Sequence, residues 1–311
     1  MLKKILIIPA ILLILLFFVV FGVLSYLKNN YFSEIKVHDG RTNLLLLGIN
    51  GKGNADNDLT DTIIFVSLDQ NKRKTSLISI PRDIWMTDIQ AKINTAYHYG
   101  GIQLAKKEIG EVTGQEIDYV LIINFEGFEK IIDILGGVDI NVQESFEDLF
   151  YPVAGKEAEL CNGDKELKCR YEHLVFEKGV QHMGGNTALK FVRSRNAKGD
   201  EGTDFARNQR QILVLRAMKS KLQSPDLYLN FNKIKSIATV LEENIKTEIS
   251  KNQYGNFAAI GLKINFSQIK NIAFDEKLLI NPKNHYSKQW VLIPVNNDWV
   301  SVHYFVERNL Q

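Results

Sequence analysis

Cysteine is scarce in this chain, net charge is almost absent, and neither a low-complexity linker nor an internal repeat is present. Each shortage excludes something. Only Cys161 and Cys169 occur in 311 residues. With no further thiol, and with His173 and His182 at no ligand spacing, a zinc centre has no support. In an exported protein the pair CNGDKELKC reads as a local disulfide closing a loop, two free thiols being the alternative. The 38 basic and 36 acidic residues leave a formal charge of +2. That balance argues against the broad basic face of a nucleic-acid binder, so no nucleic-acid partner is expected.

A cleavage signal is missing too. Two lysines, Lys3 and Lys4, precede an almost unbroken apolar run from Ile5 to Leu27. A bilayer needs about 20 such residues. No small-residue motif ends the run, which reads as an uncleaved signal anchor, a long cleaved signal peptide being the alternative. The expected organisation is a cytoplasmic stub and transmembrane helix over residues 1–30, a stalk over 31–41, and an extracytoplasmic domain over 42–311. The protein is thus expected in the cell membrane, single-pass, with its N-terminus cytoplasmic. Overall composition, 45% hydrophobic and 24% charged, is that of ordinary globular proteins.

Short apolar runs alternate with helical patterns after the anchor. NLLLLGI (43–49), TIIFVSL (62–68), TSLISI (75–80), DYVLIIN (118–124) and VDINV (138–142) read as strands, the second and third pairing as a hairpin across a polar turn. Residues 91–114 read as a helix interrupted at Gly100-Gly101, and 125–135 as a short amphipathic helix stopped by Gly136-Gly137. Residues 233–245 and 251–262 also read as helices, and Trp290–Val295 as a strand. Continuous apolar strands imply a sheet covered on both faces. The expected fold class is α/β, a three-layer αβα sandwich with a mixed central sheet.

The densest chemistry lies in FVRSRNAKGDEGTDFARNQRQ (191–211). Arg193, Arg195, Arg207, Arg210 and Arg216 fall in or just after it. A guanidinium fork matches phosphate oxygens and keeps its charge at any ordinary pH. Arg193 and Arg195 share a face only in an extended segment, so the helix that begins near Gly185 is expected to end at about Val192. Thr203 reads as the N-cap of a new helix, with Asp204 in its first turn. Arg207, Arg210 and Gln211 then share one face. Arginines at the positive end of a helix make a pyrophosphate cradle; the same spacing also suits a solvated basic helix. Asp61, after Asp56 and Asp58 and just before a strand, is a candidate Mg²⁺ ligand, or one of three acids decorating a turn. Arg82, in IPRD, follows a strand end, where ligands bind in open α/β sheets; an ion pair with Asp83 is its other reading. Phe125, Phe128, Ile131, Ile132, Leu135, Phe191 and Val192 are apolar enough to wall a lipid pocket or simply to form core.

TDTIIFVSLD, SIPRD, KINTAYHYGG, GGVDINV, GNTALKFVRSRN and DFARNQRQ, in that order, make residues 43–218 resemble the LytR-CpsA-Psr family. The resemblance implies a membrane-anchored phosphotransferase that moves a glycopolymer from a polyprenyl-pyrophosphate carrier to a peptidoglycan hydroxyl, with Mg²⁺ (or Mn²⁺). Its implied partners are the lipid-linked glycan, the peptidoglycan acceptor and the membrane. By the same resemblance Asp61 holds the metal. Arg82, Arg193, Arg195, Arg207, Arg210 and Gln211 bind pyrophosphate, with Arg82, Arg207 and Asp204 carrying catalysis; either Asp204 or Asp61 could serve as general base, and Asp204 is preferred because a metal ligand and a base compete for one carboxylate. The family's second acid, in a GID motif, is replaced here by Asn50, a metal ligand in doubt. A pyrophosphatase of the same lipid, and a non-catalytic wall-binding or regulatory membrane protein of the same fold, are the alternatives.

Overall fold

The computed structural model describes residues 32–49, 58–70, 74–153, 155–156, 158–228, 230–264 and 268–311. The expected anchor therefore lies outside the described residues. Among the described ones no helix is long and apolar enough to cross a membrane.

Three strands open the domain: β1 (Arg41–Ile49), β2 (Thr60–Asp69) and β3 (Lys74–Ser79). A short ribbon, β4 (Trp85–Met86) and β5 (Ala91–Lys92), leads to helix α1 (Ala96–Thr113). Next come β6 (Tyr119–Asn124), α2 (Phe125–Ile134), β7 (Val138–Val142), β8 (Phe146–Pro152), β9 (Tyr171–Phe176), β10 (Gly179–Met183) and α3 (Gly185–Arg193). The C-terminal part holds α4 (Asp204–Leu222), α5 (Pro225–Tyr228), α6 (Phe231–Asn244) and β11 (Ile245–Thr247). It closes with α7 (Tyr254–Lys263), β12 (Lys270–Ala273), β13 (Leu279–Ile280), β14 (Ile293–Pro294) and α8 (Val300–Leu310).

The central sheet runs β11-β6-β1-β2-β3-β12. β1 pairs parallel with β6, and β3 with β12; β1–β2, β2–β3 and β11–β6 are antiparallel. The strand period of two sends alternate β1 residues to opposite faces. Leu45, Leu47 and Ile49 join Ala105, Ile109 and Val112 of α1 and Val302, Val306 and Leu310 of α8 in one core. Leu44 and Leu46 face the other way, toward Ile212 of α4 and Phe257 and Ile260 of α7. Helices thus cover both sides of a mixed sheet, as the strand pattern predicts. The β2–β3 hairpin forms with Asp69 opposite Lys74. Helix α1 breaks where expected, Gly101 taking a φ of 62° that glycine adopts without steric cost.

Three expectations need correction. β7 is not in the central sheet; it pairs with β10 in a separate two-stranded ribbon, and its burial alternates strictly, the mark of a strand with one covered face. The strand expected over 290–295 shrinks to Ile293–Pro294, because Leu292 spends its backbone N–H and C=O on Asp83 and Trp85 instead. The expected stalk is fastened to the domain. Ser33 N donates to Asn252 O at 2.8 Å, Asn256 Nδ2 to Ser33 O at 2.9 Å, and Lys36 N to Tyr119 Oη at 2.8 Å. Cys161 and Cys169 are joined, closing the loop between β8 and β9.

Candidate active site

β1, β3, β6 and β12 all run one way, so their carboxyl ends form a single edge of the sheet. β2, running against them, begins at that edge. Asp61 at the start of β2 therefore meets Arg82, which follows the end of β3. Arg82 Nη1 donates to Asp61 Oδ1 at 2.5 Å, and its Nε, buried and without a hydrogen-bond partner, stands 3.7 Å from Asp83 Oδ2. Asp83 is also held by Lys92, at 2.7 Å.

The second wall comes from the end of α3. The helix stops at Arg193, one residue later than expected, and Ser194 turns extended with φ −53° and ψ 130°. Arg193 Nη2 lies 3.5 Å from Asp61 Oδ2. Its guanidinium sits 4.2 Å above the ring of Phe125, the first residue of α2, a cation–π contact that orients the fork. Tyr151 is nearby; burial pushes its phenol pKa up, with Arg193 opposing, so it stays protonated and able to donate.

The third wall is the start of α4, where Thr203 caps the helix by accepting from Ala206 N, as its position predicts. Gly202 precedes it with no room for a side chain: a Cβ would stand 2.1 Å from Ala197 O. Together Asp61, Arg82, Arg193, Arg195, Gly202 and Arg207 line one cavity of about 570 Å³, shared with Tyr151, Asn196 and Trp290. Four arginines, one near the end of β3 and three from the 191–211 stretch, meet around one hollow.

Arg210 does something else. It is 3% exposed. Nε donates to Phe191 O at 3.0 Å, Nη2 to Ser194 O at 2.8 Å, and Nη1 to Glu201 O and Oε2 at 2.9 and 2.7 Å. Burial lowers its pKa from the ordinary arginine value, with Glu201 and Asp148 opposing. It ties α3 to the approach of α4 and does not line the cavity, and neither does the half-buried Gln211. Both are corrections to the sequence reading: spacing along a helix shows which residues share a face, not whether that face meets a ligand or the fold. Asn50 and the side chain of Asp204 lie outside the described residues. Phe191, Ile131, Ile132 and Leu135 are core, whereas Val192 lines the cavity.

Sequence reasoning missed Asp148 and Trp290. Asp148, on β8, is fully buried. Its Oδ2 accepts from Ser194 Oγ at 2.7 Å and from the backbone N–H groups of Arg195 and Asn196 at 3.2 Å, while Oδ1 accepts from Phe150 N at 3.0 Å. This carboxylate holds the segment between Arg193 and Asn196 in its extended form.

The LytR_cpsA_psr family model matches residues 25–300. The chain belongs to that family. Among its relatives, the polyisoprenyl-teichoic acid–peptidoglycan teichoic acid transferase TagU of Bacillus mycoides is 30% identical over 215 residues, 68% of this chain and 61% of the relative. The chain thus spans about three fifths of the relative's length. Solved LytR_cpsA_psr structures share the fold. Bacillus subtilis TagV superposes with a TM-score of 0.61 at 23% identity, covering 88% of this chain and 98% of TagV. TagT bound to LI-WTA superposes at 0.58 and 23% identity, covering 91% and 97%.

Proposed function

We propose that this chain is a membrane-anchored phosphotransferase that moves a glycopolymer from a polyprenyl-pyrophosphate carrier to a peptidoglycan hydroxyl. The observation that carries the reading is the meeting of Arg82, Arg193, Arg195 and Arg207 with Asp61 in one cavity at the carboxyl edge of the sheet. Family membership, and the activity in the name of TagU, support it.

The arginines supply what a diphosphate needs. Arg82 and Arg193 already grip a carboxylate, and the same forks suit phosphate oxygens. The N-terminus of α4 adds its positive end. The acceptor oxygen attacks the phosphorus nearest the glycan, the bond to the bridging oxygen breaks, and polyprenyl phosphate leaves. Arg82, Arg193 and Arg207 stabilise charge on the phosphate oxygens as it develops. Asp204, first residue of α4, is assigned as the base that takes the hydroxyl proton.

The residues fit a magnesium ion of the phosphate-bridging kind, which takes one or two carboxylates and fills its shell with phosphate oxygens and water. Asp61 is the carboxylate that would hold it, once Arg82 and Arg193, which bond it here, turn their forks to the phosphates. Among the described residues, the two clusters of three acidic or histidine ligands, His38/Glu116/Asp118 and Asp88/Glu108/Glu111, stand away from the cavity. When bound, the ion neutralises charge on the diphosphate.

The test incubates the full chain in detergent with a polyprenyl-pyrophosphate-linked wall glycan and peptidoglycan, with Mg²⁺ or EDTA. Mg²⁺-dependent covalent attachment is expected. Release of glycan phosphate with water as acceptor points to a pyrophosphatase, and no turnover to a binding protein.

A further inference from the structure

One wall of the cavity takes no part in phosphate chemistry. Trp290 lines it with Arg82 and Asp83, yet the residue is 59% exposed. The loop that carries it is held firmly. Trp85 N donates to Leu292 O and Leu292 N to Asp83 O, both at 2.9 Å, so the loop is bonded to the segment that presents Arg82. Earlier in the same loop, His285 and Tyr286 pack against buried Trp85 with ring centroids 4.8 and 5.5 Å away, and Trp85 donates its indole N–H to Tyr286 Oη at 2.6 Å. A large, well-exposed apolar side chain thus stands on a loop bonded to the wall of an anion site. A single exposed aromatic needs no explanation on an ordinary surface; here it is built into the site. A cavity of this size accommodates a drug-sized ligand, more than a diphosphate.

We infer that Trp290 is the stacking platform for a sugar ring bound next to the diphosphate. The C–H face of a pyranose is apolar and covers an indole, while its hydroxyls stay free for Asn196 and water. The inference rests on the transferase reading for the source of the sugar, which is either the first ring of the donor glycan or the acceptor ring.

The experiment compares wild type with Trp290→Ala and Trp290→Phe in the full chain. KM is measured separately for the lipid-linked donor and for a soluble peptidoglycan fragment. Trp290→Ala is expected to raise one of the two KM values roughly three- to tenfold, the range for losing a stacked ring, with kcat nearly unchanged and Trp290→Phe recovering most of the loss. The KM that moves identifies the source. Tryptophan fluorescence titrated with the peptidoglycan fragment gives a readout without turnover. Sugar-dependent quenching that disappears in Trp290→Ala, in a wild type that transfers nothing, keeps the platform and defeats the transferase reading. Normal transfer with both KM values unchanged in Trp290→Ala defeats the platform alone.

Discussion

Arg82 and Arg210 carry the same group and are satisfied in opposite ways. Arg210 is enclosed and bonded to three backbone carbonyls and one carboxylate. Those acceptors are fixed by the fold, so no ligand can compete for them. Arg82 is half-open and bonded to Asp61, a side chain on the cavity wall, and a phosphate can take that place. The difference separates frame from site. Asp148 and Asp61 repeat it among the acids: one accepts four bonds in the interior, the other faces two guanidinium groups across a hollow.

Substitutions can break this contrast. Arg210→Ala should have the largest effect, about 3–5 kcal/mol of stability, because it strands the Glu201 carboxylate and three carbonyls; urea unfolding measures it, and a loss under 1 kcal/mol would mean the frame is not where stability resides. Arg82→Ala and Arg207→Ala should each lower transfer roughly 10²–10³-fold with little change in the unfolding midpoint. An Arg207→Ala enzyme with normal transfer would remove that residue from the mechanism. Gly202→Ala blurs the two classes, since its Cβ would strike Ala197 O; a cost of about 1–3 kcal/mol is expected, together with weaker donor binding as the α4 approach shifts.

The smallest effect concerns a charge outside both regions. Glu108 on α1 is fully buried with Oε2 lacking a hydrogen-bond partner, and burial raises its pKa against the pull of Lys107. A carboxyl with a raised folded-state pKa contributes stability below its unfolded pKa and loses it as pH rises through the folded value. Glu108→Gln should therefore stabilise the protein at pH 7, by about 1 kcal/mol, and the gain over wild type should vanish below about pH 4. Thermal melts across that range decide it.

Much of the fold is written locally. The runs at 43–49, 62–68 and 118–124 are apolar enough to be strands whatever they pair with, and Thr203 caps its helix through a contact three residues long. The meeting of residues in one cavity was legible where they are tied to a strand or helix end, as for Asp61, Arg82 and Arg193. It was not legible where the decisive partner is remote. Asp148 acts on residues 46 to 48 positions away, and Trp290 stands on a loop that Leu292 bonds to Asp83 and Trp85, about 200 residues earlier in the chain. Arg210 was misread for the same reason, since its acceptors are backbone carbonyls that leave no mark on composition.

The bonds at Ser33 carry a mechanical consequence. With the proposed bilayer segment ending at Leu27, six peptide steps separate lipid from a residue already docked on the globular body, a tether of at most roughly 20 Å. Under the proposed reading, so short a leash would keep the domain close over the lipid headgroups, where a lipid-linked donor could enter without leaving the leaflet.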